Sequence, residues 1–239
     1  MFQKQEVISF WNKKPCGTFG VIPENINLDY FSKIRERRYK LEPFIRKIVR
    51  FQEWQGKKVL EIGCGIGIDG MEFAKNGADY TGIDISKESL ELAQKYFNLN
   101  NQKANLLVAD AEKLPFLDNT FDLVYSWGVL HHTPNPERAI TEIYRVLKPE
   151  GRFCIMLYNR HSLVASQLYL KYGLLRGHPF ISLKKLFAEH HESPGTKAYT
   201  NKELLRVFAM FRNVHLYNIV TPYDLRISKN SYLPSFFKN

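Results

Sequence analysis

From Lys57 onward, short apolar runs alternate with amphipathic stretches, and this rhythm predicts a parallel sheet wrapped by helices. Strands are expected over 57–62, 80–84, 105–109, 121–125 and 152–158. Between them, one helix runs near 68–76 and stops at Gly77. A second opens on Ser86 as N-cap, and a third covers 137–147 before Pro149 and Gly151. Upstream, 2–12 and 29–50 carry helical spacing (Phe31, Ile34, Leu41, Phe44, Ile45, Ile48), with Pro43 breaking the second stretch in two. Downstream of Tyr158 the rhythm breaks. Residues 160–198 read as a partly helical insertion, Thr200 and Glu203 form a capping box for a helix to about Phe211, and 214–220 reads as a late strand. The expected fold class is α/β, a doubly wound, mostly parallel sheet. Its expected parts are an N-terminal helical cap (1–56), a core (57–158), an insertion or lid (159–199), and a C-terminal helix and strand completing the sheet (200–239).

The first strand ends in a glycine-dense loop, Val59-Leu-Glu-Ile-Gly-Cys-Gly-Ile-Gly67, which runs into a helix. Glycines allow close approach of a ligand to the backbone, and a helix N-terminus offers unpaired N–H groups. Gly65, Gly67 and Gly70 also satisfy the dinucleotide pattern G-x-G-x-x-G. Charge argues against that reading. A pyrophosphate is anionic, whereas this loop carries Glu61 at the strand end and Asp69 at the helix start. S-adenosylmethionine brings a cationic sulfonium and ammonium, which suit an acidic strand end. A second acidic position, Asp84, ends the second strand beside Ile85; it can accept hydrogen bonds from ribose hydroxyls or simply cap a helix.

The series Glu61-x-Gly63-x-Gly65-x-Gly67, Asp84, Ala109-Asp110-Ala111, the run 121–132 and Arg145-Val-Leu-Lys-Pro-Glu-Gly151 resembles the class I S-adenosylmethionine-dependent methyltransferases. It is most similar to the small-molecule branch that holds the ubiquinone and menaquinone methyltransferases. The resemblance covers 57–158 and departs only at Glu150, where a glycine is usual. It implies a sheet order 3-2-1-4-5-7-6 with one antiparallel strand. It further implies S-adenosylmethionine as cofactor, Asp110 receiving the adenine amino group with the backbone at Ala111 against the ring, and Ser126 facing the methionine end.

Methyl transfer to a hydroxyl or carbon acid needs a base. His132, with His131 beside it, follows the fourth strand where such a base belongs, though either ring can equally pack against a neighbouring loop. Tyr158 is a second candidate and can also be a sheet-edge aromatic. Arg38 suits the methionine carboxylate or a solvated surface; Tyr39, Trp127 and Tyr199 are further acceptor-side candidates.

Net charge is +10, distributed as +5 over 1–56, −3 over 57–158 and +8 over 159–239. Basic flanks around a mildly acidic core favour a small or lipid-like acceptor with an anionic group; they also allow transient contact with a membrane surface. A nucleic-acid methyltransferase is the alternative the charge supports. The residues Ser126-Trp-Gly-Val oppose it, because enzymes acting on planar amines carry Asn/Asp-Pro-Pro-aromatic there. A binding protein without catalysis also stands, while Glu61, Asp69 and Asp110 oppose an NAD oxidoreductase. No apolar run reaches the ~20 residues of a membrane span. Cys16, Cys64 and Cys154 lack metal spacing, so no metal is expected, and with no signal pattern at the N-terminus a cytoplasmic location is. No oligomeric state follows from these patterns.

Overall fold

The computed structural model describes residues 4–18, 23–222, 224, 226–228 and 231–232. They divide into two compact units, with the break after Leu157.

In the first unit, β1 (Lys58–Ile62), β2 (Asp79–Asp84), β3 (Asn105–Val108), β4 (Phe121–Trp127) and β5 (Leu147–Met156) form one parallel sheet in the order β3-β2-β1-β4-β5. Val59 lies opposite Tyr80 on one side and Leu123 on the other. Strand order reverses beside β1, and such a switch point opens a crevice at the carboxyl ends of the strands. Helices α4 (Ile68–Lys75), α5 (Lys87–Leu99) and α6 (Pro136–Val146) make the crossovers. Ser86 caps α5 through the Ser89 N–H, and Asn135 caps α6 with Pro136 at its first position.

The N-terminal helices α1 (Lys4–Lys13), α2 (Leu28–Leu41) and α3 (Phe44–Val49) belong to this same unit. They pack against the core of that unit. Phe31 and Ile45 are fully buried in a cluster with Val59, Met71, Phe73 and Phe97, and the Phe31 ring stacks on Tyr96 with centroids 4.3 Å apart. Pro43 does separate α2 from α3.

In the second unit, α7 (Leu163–Leu168) continues through irregular helical turns to Arg176 and is followed by α8 (Leu183–His190) and α9 (Asn201–Val207). Ala165, Leu168, Leu186, Phe187 and Ala198 form its small core. The capping box at α9 is present in full: the Thr200 side chain accepts from the Glu203 N–H, and Glu203 accepts from the Thr200 N–H. The Thr200 N–H and the Arg160 guanidinium hold the Glu203 carboxyl down at about 2. Thr200→Ala is expected to destabilise the chain by about 0.5–2 kcal/mol, read as a lower denaturant midpoint.

Two expectations fail here. Residues 214–220 adopt no regular structure, although Val214 and Leu216 are half-buried and alternate with exposed His215 and Tyr217. Alternation produces a strand only where a neighbouring edge is available for pairing. The last strands, β6 (Arg226–Ser228) and β7 (Ser231–Tyr232), pair antiparallel with each other. Among the described residues, 200–239 adds no strand to the five-stranded sheet, so the order ends at 3-2-1-4-5 without 7 and 6.

Candidate functional site

The loop after β1 is shaped by its backbone. Gly63 and Gly65 have φ of 74° and 53°, in the left-handed region that glycine tolerates best. The Gly63 and Cys64 N–H groups donate to the Ile83 carbonyl at 2.7 and 3.0 Å, tying the loop to β2. A methyl group on Gly63 would overlap the Val129 side chain. On Gly65 it would meet nothing nearer than the Cys16 Cβ at 3.9 Å. The backbone at Gly65 thus faces open space, bordered by the loop containing Pro15, Cys16 and Gly17.

Asp84 ends β2 next to this opening. Its two oxygens accept from the Gly65 N–H at 2.9 Å and the Ser86 N–H at 2.8 Å. Burial pushes its carboxyl up, opposed by backbone donors at Ser86, Gly65 and Ile85. A carboxylate has about four lone-pair sites, so acceptor capacity remains for a ligand hydroxyl. Ile85 beside it is half-buried.

On the neighbouring strand end, Asp110 accepts from the Glu112 N–H at 2.9 Å and pairs with the ammonium of Lys4 on α1, which also reaches Glu112 at 3.1 Å. Ala111 between them is buried. Seven residues along α1, the Trp11 ring stands edge-on to His132, 5.1 Å between centroids. Helix α1 therefore runs from the end of β3 to the turn after β4, across the carboxyl edge of the sheet. Lys4, Glu112, Trp11 and the Cys16 loop carry no local sequence signal for this role.

His131 and His132 lie in a 3-10 turn, Leu130–His132, directly after β4; both are buried and their rings are 4.2 Å apart. The Ser126 hydroxyl donates to the Ile62 carbonyl at 3.1 Å, so it braces β4 against β1 beneath the loop.

Several expected contacts are engaged within the protein. Glu61 is buried and accepts the Tyr80 hydroxyl at 2.6 Å. Burial, with the charge of Asp69 nearby, holds its carboxyl well above the usual range. Asp69 is the centre of a larger network. Arg38 Nε donates to its two oxygens at 2.9 and 3.1 Å, Tyr39 and Tyr125 donate hydroxyls at 2.8 and 2.7 Å, and Arg38 Nη1 reaches Glu42 at 3.0 Å. Burial alone raises the Asp69 carboxyl, but the guanidinium and the two hydroxyls outweigh it and hold the group below the ordinary carboxylate range. Arg38 and Tyr39 are thus both hydrogen-bonded to Asp69. Trp127 likewise donates its indole N–H to Glu42 at 2.9 Å.

Tyr158 and Tyr199 fall in the second unit. β5 ends at Met156; the Tyr158 hydroxyl donates to Glu192 at 2.8 Å, and its carbonyl accepts the Tyr199 N–H at 2.8 Å.

A parallel sheet in this order, with a glycine loop after β1 and acidic residues ending β2 and β3, has the fold of the class I methyltransferases. Residues 60–155 match the protein-family model described as a methyltransferase domain. The chain is similar to the sterol 4-C-methyltransferase of Caenorhabditis elegans, 39% identical over 98 residues, covering 40% of this chain and 29% of that one. It is also similar to the ubiquinone biosynthesis O-methyltransferase of Photobacterium profundum, 35% identical over 108 residues, covering 45% and 46%. The chain spans less than half the length of either relative. The crystal structure of magnesium protoporphyrin IX methyltransferase from Synechocystis, with bound SAH, shares the fold: TM-score 0.61 at 16% identity, over 87% of this chain and 88% of that one.

Proposed function

We propose that this chain is an S-adenosylmethionine-dependent methyltransferase acting on a small or lipid-like organic acceptor, one bearing an anionic group. The observation that carries the cofactor assignment is the open backbone at Gly65 with the Asp84 carboxylate hydrogen-bonded beside it. The residues fit the cofactor. Asp84, with Ile85 beside it, would take the ribose hydroxyls, Asp110 and the backbone at Ala111 the adenine end, and the loop from Gly63 to Gly67 would pass beneath the methionine portion. Glu61 and Ser126 support that loop from below through Tyr80 and Ile62. The similarity to proteins named for ubiquinone biosynthesis and for sterol methylation supports an apolar-bodied acceptor.

When bound, the cofactor supplies a methyl group on a sulfonium, open to in-line displacement. Catalysis by the protein is then largely positioning, with the reacting atoms held about 3–3.5 Å apart. His132 is the group suited to take the proton from a hydroxyl or carbon acid, and Trp11 forms one wall beside it. His132→Ala is accordingly expected to lower turnover about 10²–10⁴-fold with cofactor affinity unchanged, measured by single-turnover kinetics and calorimetry. An unaltered rate would leave His132 as a packing residue.

The direct test is to incubate the protein with methyl-labelled S-adenosylmethionine and a panel of ring-hydroxylated and sterol acceptors, with RNA as the contrasting substrate. Label should enter an organic-soluble product. Label in RNA, with binding that weakens steeply as salt rises, would favour the nucleic-acid reading instead. No helix among the described residues is long and apolar enough to cross a membrane. A cytoplasmic site of action is part of this proposal.

A further inference from the structure

The second unit carries a surface that the methyl-transfer reading does not use. From Leu174 to Phe180 every residue is exposed, and the large apolar ones are the most conspicuous: Leu175 is 73% and Phe180 99% accessible. Leu170, one helical turn before Leu174, adds a further exposed leucine to the same strip. Four large apolar side chains exposed within residues 170–180 and set among polar ones mark an interaction site.

This tip is built, not loose. The His178 N–H donates to the Gly173 carbonyl at 2.9 Å, the Tyr169 hydroxyl to the Pro179 carbonyl at 2.7 Å, and the Ile181 N–H to His178 at 3.2 Å. On its inner side Leu168 packs with Leu186 and Phe187 of α8, which fixes the outward direction of the opposite strip.

The charge on the tip is all of one sign. Lys171 and Arg176 each lie 5.0 Å from the centroid of the Tyr172 ring, and among the described residues neither is within 4.0 Å of a carboxylate. No Asp or Glu occurs between Lys171 and Lys185, and residues 159–239 together carry +8. Apolar anchors interspersed with cations are the composition that settles at a headgroup boundary, the apolar groups entering and the cations meeting phosphates. A second copy of this chain would instead bring two such positive faces together, which is repulsive. We propose that the tip formed by residues 170–180 docks the chain onto an anionic lipid bilayer, with Leu174, Leu175 and Phe180 entering the headgroup boundary. This inference stands independently of the methyl-transfer reaction.

The test is co-sedimentation of the full chain with phosphatidylcholine vesicles and with vesicles half phosphatidylglycerol. Partitioning should be about tenfold or more stronger on the anionic vesicles at low salt, and should fall as salt rises. Lys171→Glu with Arg176→Glu should abolish that preference. Leu175→Ser with Phe180→Ser should weaken binding at least about tenfold, with an unchanged melting profile because both side chains are exposed. Phe180→Trp should show a blue-shifted emission, quenched by spin-labelled lipid, only with anionic vesicles. Equal binding to both vesicle types, or indifference to both double substitutions, would overturn the proposal. So would a dimer, seen by light scattering without lipid, that the same substitutions dissolve.

Discussion

Asp69→Ala is expected to destabilise the fold by about 3–5 kcal/mol, measured by chemical denaturation at neutral pH. Removing one partner of a buried ion pair leaves the other charge uncompensated, and that outcome, not the modest net value of the pair, sets the size of the loss. Here the guanidinium of Arg38 would keep only Glu42 among the carboxylates it now bonds, and the hydroxyls of Tyr39 and Tyr125 would lose their acceptor. Asp69→Asn should lose less, because an amide oxygen can still accept from the hydroxyls. The same carboxyl predicts a pH dependence. Its folded pKa lies below its unfolded one, so its stabilisation is fully present above the unfolded value of about 3.9 and is lost as the pH falls below that value through the lower folded pKa. Glu61 acts in the opposite sense. Its folded pKa is raised, so ionisation at pH above about 4.3 weakens the fold. Glu61→Gln, which keeps an acceptor for Tyr80, should therefore gain stability over the wild type at pH 8 relative to pH 5.

Gly65→Val is expected to abolish cofactor binding while leaving a folded protein, whereas Gly63→Val should prevent normal folding. The two glycines are two residues apart and both have left-handed backbone, so either substitution carries a conformational penalty of about 1–2 kcal/mol. Their surroundings separate them. A side chain at 63 is driven into Val129 within the protein, so the turn after β4 must move or the loop must open. A side chain at 65 points where only Cys16 stands at 3.9 Å, so it fills the space that a ligand needs. Circular dichroism with a melting scan, set beside a binding titration, distinguishes these outcomes. A folded Gly65→Val variant that bound like the wild type would show that the ligand lies elsewhere.

The contrast between these two predictions follows what the sequence reveals. The glycine loop, the Ser86 and Thr200 caps and the acidic strand ends are short-range patterns, legible because their physical causes lie within a few residues. The Asp69 network is not of that kind. Arg38 lies 31 residues before it and Tyr125 lies 56 after it, so only the fold brings them together. For the same reason the partners that Arg38, Glu61 and Asp69 have within the protein cannot be read from the sequence. Lys4 reaches Asp110 across 106 residues, and helix α1 thereby crosses the strand ends in a way no periodicity reports. At 214–220 the alternation was legible, but the paired edge that makes a strand was missing.

Isothermal titration of the purified chain with S-adenosylhomocysteine and with NAD, repeated on Asp84→Ala, tests the account at its centre. S-adenosylhomocysteine should bind and NAD should not. The Asp84→Ala variant should lose about 1–3 kcal/mol of that binding, because hydrogen bonds to a charged acceptor disappear. Tighter binding of NAD than of S-adenosylhomocysteine, or equal affinity for S-adenosylhomocysteine with and without the Asp84 carboxylate, would contradict it.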